Sequence, residues 1–260
     1  MSSFRGVAEA YRRSFATLCA GAIPALLEAT APGTDLLDVG CGTGDLALAA
    51  VDRGRRVTAV DPDPEMIAIA GALAPEASVL EAGAPALPLA DSSTGAITAN
   101  FVVNHVPDPR STMRDLARVA APSAPIALTI WPAVPGPHLA AYGEAARAAG
   151  AVAVPSTRLA PELDFPRSPD GLATVAKEAG LHVERAEELR WTWRIAADDL
   201  MAGIAGGVAG PGRMHLAQTD RVRADIEARA RELWSEYADD ADGGRLAFPV
   251  TAALVVATRP

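Results

Sequence analysis

The chain has 260 residues, half of them apolar, with a formal net charge of -9 at pH 7 and an isoelectric point near 5.0. This length suits one α/β domain with insertions, and the acidic balance disfavours nucleic acid, whose phosphates are bound by clustered Lys and Arg. The two cysteines, Cys19 and Cys41, cannot build a disulfide framework, and no apolar run is long enough to span a bilayer. We therefore expect a cytoplasmic protein that acts on a small molecule, without a membrane segment, a secretion signal or a metal site.

The first half of the chain alternates helical and extended patterns. Apolar residues at helical spacing predict two helices over residues 7–30, which we interpret as an N-terminal helical cap. Short aliphatic runs then alternate with helices, a pattern typical of βαβ units and a parallel sheet. Proline follows a capping side chain at Asp63, Asp108 and Ser168, which predicts three helix starts. The predicted strands are residues 36–39, 57–60, 78–80, 96–99 and 126–130.

The second half is predicted to return to the same sheet after an insertion. A short helix is predicted around residues 139–149, a strand over 182–194, and a helix that dissolves into a glycine-rich loop over 198–212. A last helix and a closing strand over 250–257 complete the chain. We predict one domain over residues 1–260. Its parts are an N-terminal helical cap (1–34), a cofactor-binding core (35–131), two cap insertions (132–167 and 196–245) and the rest of the core (168–195 and 246–260).

The loop after the first predicted strand is rich in glycine. Asp38 ends that strand and is followed by Gly40, Gly42 and Gly44 and by a helix from Asp45. Glycines let a ligand approach the backbone closely, and the helix start offers free N–H donors. The G-x-G-x-G spacing and the acid ahead of it differ from the dinucleotide fingerprint. A carboxylate here repels a pyrophosphate and attracts a ligand with an ammonium and a sulfonium group; a plain structural turn is the alternative.

The segment Leu-Leu-Asp-Val-Gly-Cys-Gly-Thr-Gly, residues 36–44, resembles motif I of class I S-adenosylmethionine-dependent methyltransferases. This resemblance implies S-adenosylmethionine as cofactor and a Rossmann-like α/β fold. Such a fold has a seven-stranded, mostly parallel sheet with an antiparallel C-terminal strand, helices on both faces and, here, a helical cap from the N-terminus and the late insertions. The arrangement looks most like small-molecule enzymes of the ubiquinone-biosynthesis-like, natural-product and methyltransferase type 11-like kind.

A second acid, Asp61, ends the second predicted strand, where a carboxylate can accept two hydrogen bonds from a ribose diol. The family uses the matching acid in that way, and its following methionine, here Met66, commonly packs on adenine. A helix cap for the acid and a core contact for the methionine are the alternatives.

Residues 81–91 resemble the family's adenine segment, which often carries an aspartate where Gly83 stands. Backbone groups near Gly83 and Ala84, or the Glu81 side chain, are the expected substitutes for that acid. Residues 96–109 resemble the family's fourth motif, which faces the methionine end of the cofactor. The predicted cofactor-binding set is Asp38, Gly40, Cys41, Gly42, Gly44, Asp61, Pro62, Met66, Gly83, Ala84, Asn100 and Phe101.

Two polar residues, Asn104 and His105, follow the fourth predicted strand, where ligands collect in open α/β sheets. A neutral histidine can take a proton from an alcohol or phenol, so His105 is our candidate catalytic base. The alternative is that His105 only hydrogen-bonds its own loop. The predicted substrate pocket is Tyr11, Asn104, Trp131 and His138.

Together these patterns predict methyl transfer from S-adenosylmethionine to a small-molecule acceptor, an aromatic or hydroxylated metabolite. The protein is expected to be a monomer or a homodimer with no nucleic-acid or membrane partner. Two alternatives stay open: a cofactor-binding protein without methyl transfer, such as a cyclase or a binding module, and an NAD-dependent oxidoreductase.

Overall fold

The computed structural model of the chain describes residues 6–155 and 159–260, so residues 1–5 and 156–158 of the predicted caps lie outside the described residues. Seven strands follow one another in the order β3-β2-β1-β4-β5-β8-β6, and β7 pairs with β8. The strands are β1 (Asp35–Val39), β2 (Arg56–Asp61), β3 (Ser78–Glu81), β4 (Ile97–Asn100), β5 (Pro125–Ile130), β6 (His182–Ile195), β7 (Ala238–Asp239) and β8 (Arg245–Thr258).

Three helices begin at the caps that the sequence predicts. The Asp63 carboxylate accepts a hydrogen bond from the Glu65 N–H, and Asp108 and Ser168 cap their helices in the same way. The helices are α1 (Ala8–Arg13), α2 (Phe15–Ala20), α3 (Ile23–Ala29), α4 (Asp45–Val51), α5 (Pro64–Leu73), α6 (Pro109–Val119), α7 (Pro137–Ala148), α8 (Pro169–Glu178), α9 (Ala197–Ala205), α10 (Ala209–Leu216) and α11 (Asp220–Trp234), with two 3₁₀ turns at Ser235–Tyr237 and Asp240–Asp242. No helix in the described ranges is both long and apolar enough to cross a bilayer.

The chain divides into two compact units. The first, which we call the sheet unit, comprises residues 22–133, 159–189 and 251–260; the second, the helical unit, comprises the described residues of 1–21, 134–158 and 190–250. The organisation of the whole chain as a single methyltransferase domain stays a prediction.

The sheet unit contains the parallel strands. β1 pairs with β2 and β4, β2 with β3, and β4 with β5, all in parallel, whereas β5 pairs antiparallel with β8. The strands at the centre are almost wholly buried and mostly apolar, as is typical of parallel strands covered by helices. Leu37, Ile97, Leu128 and the α6 residue Leu116 belong to this core. The predicted fold class, a mostly parallel sheet with an antiparallel C-terminal strand, is confirmed.

The helical unit has its own core around large aromatic side chains. Trp234 of α11 is fully buried, and its indole N–H donates to the His138 carbonyl of α7 at 3.0 Å. Tyr142 of α7 is buried as well, and its hydroxyl lies 3.1 Å from Nδ1 of His215 in α10. Helices that are distant in sequence therefore build this core together.

Two predictions about helices were wrong. Residues 7–30 form three helices, because the chain breaks at Ser14. The Ser14 hydroxyl donates to the Ala10 carbonyl at 2.6 Å, which in a regular helix would accept from the Ser14 N–H. The predicted glycine-rich loop contains α10, which packs against the chain before it. A Cβ on Gly212 would lie 2.2 Å from the backbone carbonyl carbon of Gly207, so the glycines here allow close packing of a helix.

Candidate functional site

The loop between β1 and α4 requires its glycines. Gly40, Gly42 and Gly44 all have positive φ angles, of 67°, 54° and 90°. A Cβ on Gly40 would lie 2.4 Å from Cγ2 of Val102, and one on Gly44 would lie 2.8 Å from the Cα of Ala70. At Gly40 and Gly44, left-handed backbone and close approach therefore act together to exclude a side chain.

The same loop is tied to the end of β2. The N–H groups of Gly40 and Cys41 donate to the Val60 carbonyl at 2.8 and 3.0 Å, and the Gly42 N–H donates to Oδ2 of Asp61 at 3.0 Å. Burial, with the charges of Asp38 and Asp61, raises the pKa of the Cys41 thiol, so it stays protonated at neutral pH. The loop is thus a rigid backbone cradle in which the thiol is inert.

Asp61 has hydrogen-bonding capacity left. Its Oδ1 accepts from the Asp63 N–H at 3.0 Å, while Asp63 itself caps α5. Burial raises the pKa of Asp61 and the N–H groups of Asp63 and Gly42 oppose that shift. Each carboxylate oxygen can accept more than one hydrogen bond, so Asp61 can hold a diol while it keeps both backbone contacts. The helix-cap alternative for Asp61 does not apply.

Asp38 presents a buried oxygen that has no partner. The side chain is 1% exposed; Oδ1 accepts from the Thr98 hydroxyl at 3.1 Å, and Oδ2 has no hydrogen-bond partner among the described residues. Burial raises the pKa of Asp38 to about 7, against the Thr98 hydrogen bond and with further repulsion from Asp61 and Asp45. A buried acceptor in this state is stabilised by a cationic donor, and an ammonium group supplies one.

The predicted adenine segment lies against the end of β2. The Ala82 N–H donates to the Asp61 carbonyl at 3.0 Å, and a Cβ on Gly83 would lie 3.2 Å from Cβ of Pro62. A side chain at position 83 would therefore require Pro62 to shift by a few tenths of an ångström. Met66 is 2% exposed. The structure brings the segment, Pro62 and Asp61 together; contact of Met66 with adenine stays a prediction.

Two residues of α6 that the sequence analysis missed also hold this segment. Asp115 is buried, and its Oδ2 accepts from the N–H groups of Ala86 and Leu87, both at 2.7 Å. The Arg118 guanidinium donates to Oδ1 of Asp115 at 2.9 Å and to the Leu89 carbonyl at 2.7 Å. In the sequence, an aspartate and an arginine three residues apart on an amphipathic helix resemble an ordinary ion pair on the surface. Their spacing was the only signal, and it does not indicate that Asp115 is buried.

The end of β4 carries a strained aromatic residue. Phe101 has a φ of 59°, and its ring stacks on Trp131 with centroids 3.7 Å apart and planes 5° from parallel. Its N–H donates to the Thr129 hydroxyl at 3.0 Å, and that hydroxyl donates to Oδ1 of Asn100 at 2.7 Å. The left-handed conformation costs about 1–2 kcal/mol, which the stack and the hydrogen bonds offset. Asn100, Phe101 and Trp131 are therefore brought together.

The two polar residues after β4 differ in burial. Asn104 is half-buried, and its Oδ1 is buried with no hydrogen-bond partner in the described part of the chain. The His105 side chain is exposed, and its backbone N–H donates to the Val102 carbonyl at 2.8 Å. Asn104 thus offers a buried polar group to a ligand, while the role of His105 as a base stays a prediction.

The other two predicted substrate residues lie in the helical unit. His138 is 4% exposed and is packed against Phe15, Trp193 and Phe248, with ring centroids 5.2–6.4 Å away. Neither ring nitrogen has a hydrogen-bond partner among the described residues, and burial lowers the pKa of His138 to about 4. The Tyr11 hydroxyl donates to Sγ of Cys19 at 3.5 Å. Substrate contact by Tyr11 and His138 stays a prediction.

Comparison with known proteins adds to this geometry. Residues 37–128 match the family model of the methyltransferase domain. An uncharacterised methyltransferase of Mycobacterium leprae is 40% identical over 124 residues, which are 45% of this chain and 46% of the relative. The chain thus spans about half the length of this relative.

Solved structures share the fold. A protein of Bacillus halodurans C-125, assigned as a methyltransferase, has a TM-score of 0.59 at 18% identity over 92% of this chain and 98% of that chain. The cyclase SpnF has a TM-score of 0.54 at 19% identity over 92% of this chain and 79% of its own. Over residues 37–128, the chain is thus similar to the methyltransferase domain.

Proposed function

We propose that the protein transfers a methyl group from S-adenosylmethionine to a small-molecule acceptor. The observation that carries this proposal is the glycine cradle with the buried, unpartnered Oδ2 of Asp38 at its start. A carboxylate in that position suits a ligand with a cationic end, because burying it without a counter-charge is costly. The match of residues 37–128 to the methyltransferase domain supports the same ligand.

The remaining contacts to the cofactor follow from the strand ends. Asp61 is proposed to accept from the ribose hydroxyls, since each of its oxygens has a lone pair to spare beyond its backbone contact. Gly83 and Ala84, with Pro62 and Met66, are proposed to contact adenine through backbone and apolar groups. Within the described chain, the N–H groups of Gly83 and Ala84 donate no hydrogen bond, so they are available to a base. Asn100 and Phe101 are proposed to line the methionyl end.

The chemistry asks little of the protein beyond alignment. When bound, S-adenosylmethionine supplies a methyl group that is already activated by its sulfonium. The glycine cradle and Asp38 hold and orient the donor, and the burial of Asp38 strengthens its contact with a cationic group. Asn104 is proposed to hydrogen-bond the acceptor. His105 is proposed to take a proton where the acceptor is a hydroxyl, as its exposed ring can pass that proton to solvent.

The acceptor is proposed to be an aromatic or hydroxylated metabolite, bound with the help of Asn104 and Trp131 of the sheet unit. The net charge of -9 supports a small molecule over nucleic acid, because it opposes a phosphate backbone. A cytoplasmic location and a monomeric or homodimeric state are part of the same proposal.

A labelled-methyl assay tests this function. Protein and cofactor carrying a labelled methyl group are incubated with a panel of phenols, alcohols and amines, and transfer of label to at least one acceptor is expected. The His105→Ala variant should lower kcat more than it weakens cofactor binding, while His182→Ala, an exposed histidine on β6, serves as the matched control. Equal losses in turnover and cofactor affinity for His105→Ala would argue for a structural role.

A second candidate is a cofactor-binding protein that performs another reaction, such as a cyclisation. The absence of an acid at position 83 favours it, and the fold is compatible, since SpnF shares it. Cofactor binding with no methylated product from any acceptor would favour this candidate. An NAD-dependent oxidoreductase is disfavoured, because Asp38 would face a pyrophosphate with a negative charge.

A further inference from the structure

The proposed adenine segment has a conformation that its own sequence does not stabilise. Ala86 has a φ of 94°, a left-handed conformation that an alanine rarely adopts. Ala86 is also exposed, so packing does not fix this conformation. Something outside the segment must therefore hold it in place.

Asp115 and Arg118 supply that support from α6. Both oxygens of the buried Asp115 carboxylate are in use: Oδ2 accepts from the Ala86 and Leu87 N–H groups at 2.7 Å, and Oδ1 accepts from the Arg118 Nε at 2.9 Å. Arg118 then donates to the Leu87 carbonyl at 3.0 Å and to the Leu89 carbonyl at 2.7 Å. Two charged side chains thus make four contacts to the backbone of one short segment. Charge-assisted contacts of this length are among the stronger hydrogen bonds in proteins.

The support is placed so as to leave the middle of the segment free. The segment is fixed at its start by the Ala82 N–H on the Asp61 carbonyl and by Gly83 against Pro62. From Ala86 onward it is fixed by Asp115. Between these anchors, Gly83 and Ala84 keep N–H groups that donate no hydrogen bond within the described part of the chain.

We infer that Asp115, braced by Arg118, is a positioning residue that sets the backbone of Gly83 and Ala84 for recognition of the cofactor's purine. This inference rests on the proposed function. With no acid at position 83, the purine edge is read by main-chain donors and acceptors, whose positions are fixed only as well as the segment is fixed. Adenine presents a ring-nitrogen acceptor and an amino donor on that edge. Hypoxanthine presents the opposite pattern, so a fixed backbone distinguishes the two.

The test compares two ligands on the full chain by calorimetry: S-adenosylhomocysteine and its inosine counterpart, S-inosylhomocysteine. The unaltered protein is expected to prefer the adenine ligand by at least about tenfold, the scale of a mismatched pair of hydrogen bonds. In Asp115→Ala this preference should fall toward one. Loss of folded protein alone weakens both ligands by the same factor and leaves the ratio unchanged.

Two further variants keep the inference testable. Asp115→Asn retains an oxygen that can accept from Ala86 and Leu87 but loses the negative charge that pairs with Arg118, so it should keep an intermediate preference for the adenine ligand. This variant serves as the test if Asp115→Ala fails to fold. Glu178→Gln removes another carboxylate bound to an α6 arginine, Arg110, at 2.7 Å, and should leave the preference unchanged.

The outcomes separate the two proposals. A reduced adenine preference in Asp115→Ala or Asp115→Asn, with Glu178→Gln unchanged, supports the positioning role. An unchanged ratio in both Asp115 variants would overturn it and leave cofactor binding intact. A wild-type protein that binds neither ligand would overturn the proposed function and the positioning role together.

Discussion

Two regions of the molecule bury a polar group without a partner, and they do so in different surroundings. In the sheet unit, Oδ2 of Asp38 lies in a network of backbone hydrogen bonds made by neighbouring strand ends. In the helical unit, both ring nitrogens of His138 lie among the rings of Phe15, Trp193 and Phe248. The first region is charged and polar, which suits a cationic ligand. The second is apolar and holds its histidine neutral.

Both groups are tolerated because their pKa values shift. Burial raises the pKa of Asp38 to about 7 and lowers that of His138 to about 4, so each group is driven toward its neutral form. The Asp38 region is rigid because glycines and main-chain contacts define it. The His138 region is held by aromatic packing from separate segments. The predictions below test whether backbone geometry or packing dominates in each.

The largest effect is expected where backbone geometry leaves no choice. Gly44→Ala combines a φ of 90° with a Cβ only 2.8 Å from the Cα of Ala70, so we expect it to lower the free energy of unfolding by about 3 kcal/mol. Gly54→Ala is the matched control. Gly54 has a φ of 76° and no atom within 4 Å of the added Cβ, so only the backbone cost of about 1 kcal/mol is expected. Urea unfolding measures both. Equal losses would show that the close approach at Gly44 is unimportant.

The next prediction concerns the buried charge of Asp38. Its folded-state pKa, about 7, lies above the usual 3.8, so the ionised carboxylate costs stability above pH 7. The cost is relieved as the pH falls through 7 and is gone below 3.8. The stability gain of Asp38→Asn should therefore be larger at pH 8 than at pH 5, by about 2 kcal/mol, while S-adenosylmethionine binding is lost. A gain that does not depend on pH would contradict the charge explanation.

The smallest stability effect is expected at His138. Its folded-state pKa of about 4 lies below the usual 6.5, so the unfolded chain binds the proton more readily, and the folded chain loses stability as the pH falls below 6.5. His138→Phe removes both unpartnered nitrogens. Between pH 7 and pH 5.5, its free energy of unfolding should therefore fall by about 1 kcal/mol less than that of the unaltered protein. Thermal unfolding at the two pH values measures this. If His138→Phe is less stable than the unaltered protein at pH 7 and loses as much stability on acidification, the ring nitrogens of His138 are hydrogen-bonded and the explanation is wrong.

The same contrast explains what could be predicted from the sequence. The strand end at Asp61, the glycine loop and the caps at Asp63, Asp108 and Ser168 depend on local spacing, and the structure has all of these features. The first strand was predicted to end at Asp38 and continues to Val39. The parallel sheet could be predicted for the same reason, because the alternation of strands and helices is also a local pattern. Each of these features is determined by residues that are close together along the chain.

What was missed depends on contacts between distant residues. The hydrogen bonds from Ala86 and Leu87 to Asp115 span 29 and 28 residues, and no local pattern marks that carboxylate as buried. The pairing of His138 with Trp193 likewise joins segments that are far apart. The helix α10 was predicted as loop because glycines lower helix propensity, whereas close packing of Gly212 on Gly207 accounts for them.

Calorimetric titration of the protein and of Asp61→Ala with S-adenosylmethionine, and separately with NAD, tests the central claim most directly. We expect S-adenosylmethionine to bind, NAD not to bind, and Asp61→Ala to weaken binding by about 1–3 kcal/mol, the scale of lost hydrogen bonds to a charged group. Binding of NAD in place of S-adenosylmethionine, or an unchanged affinity in Asp61→Ala, would contradict the proposed cofactor and the proposed role of Asp61.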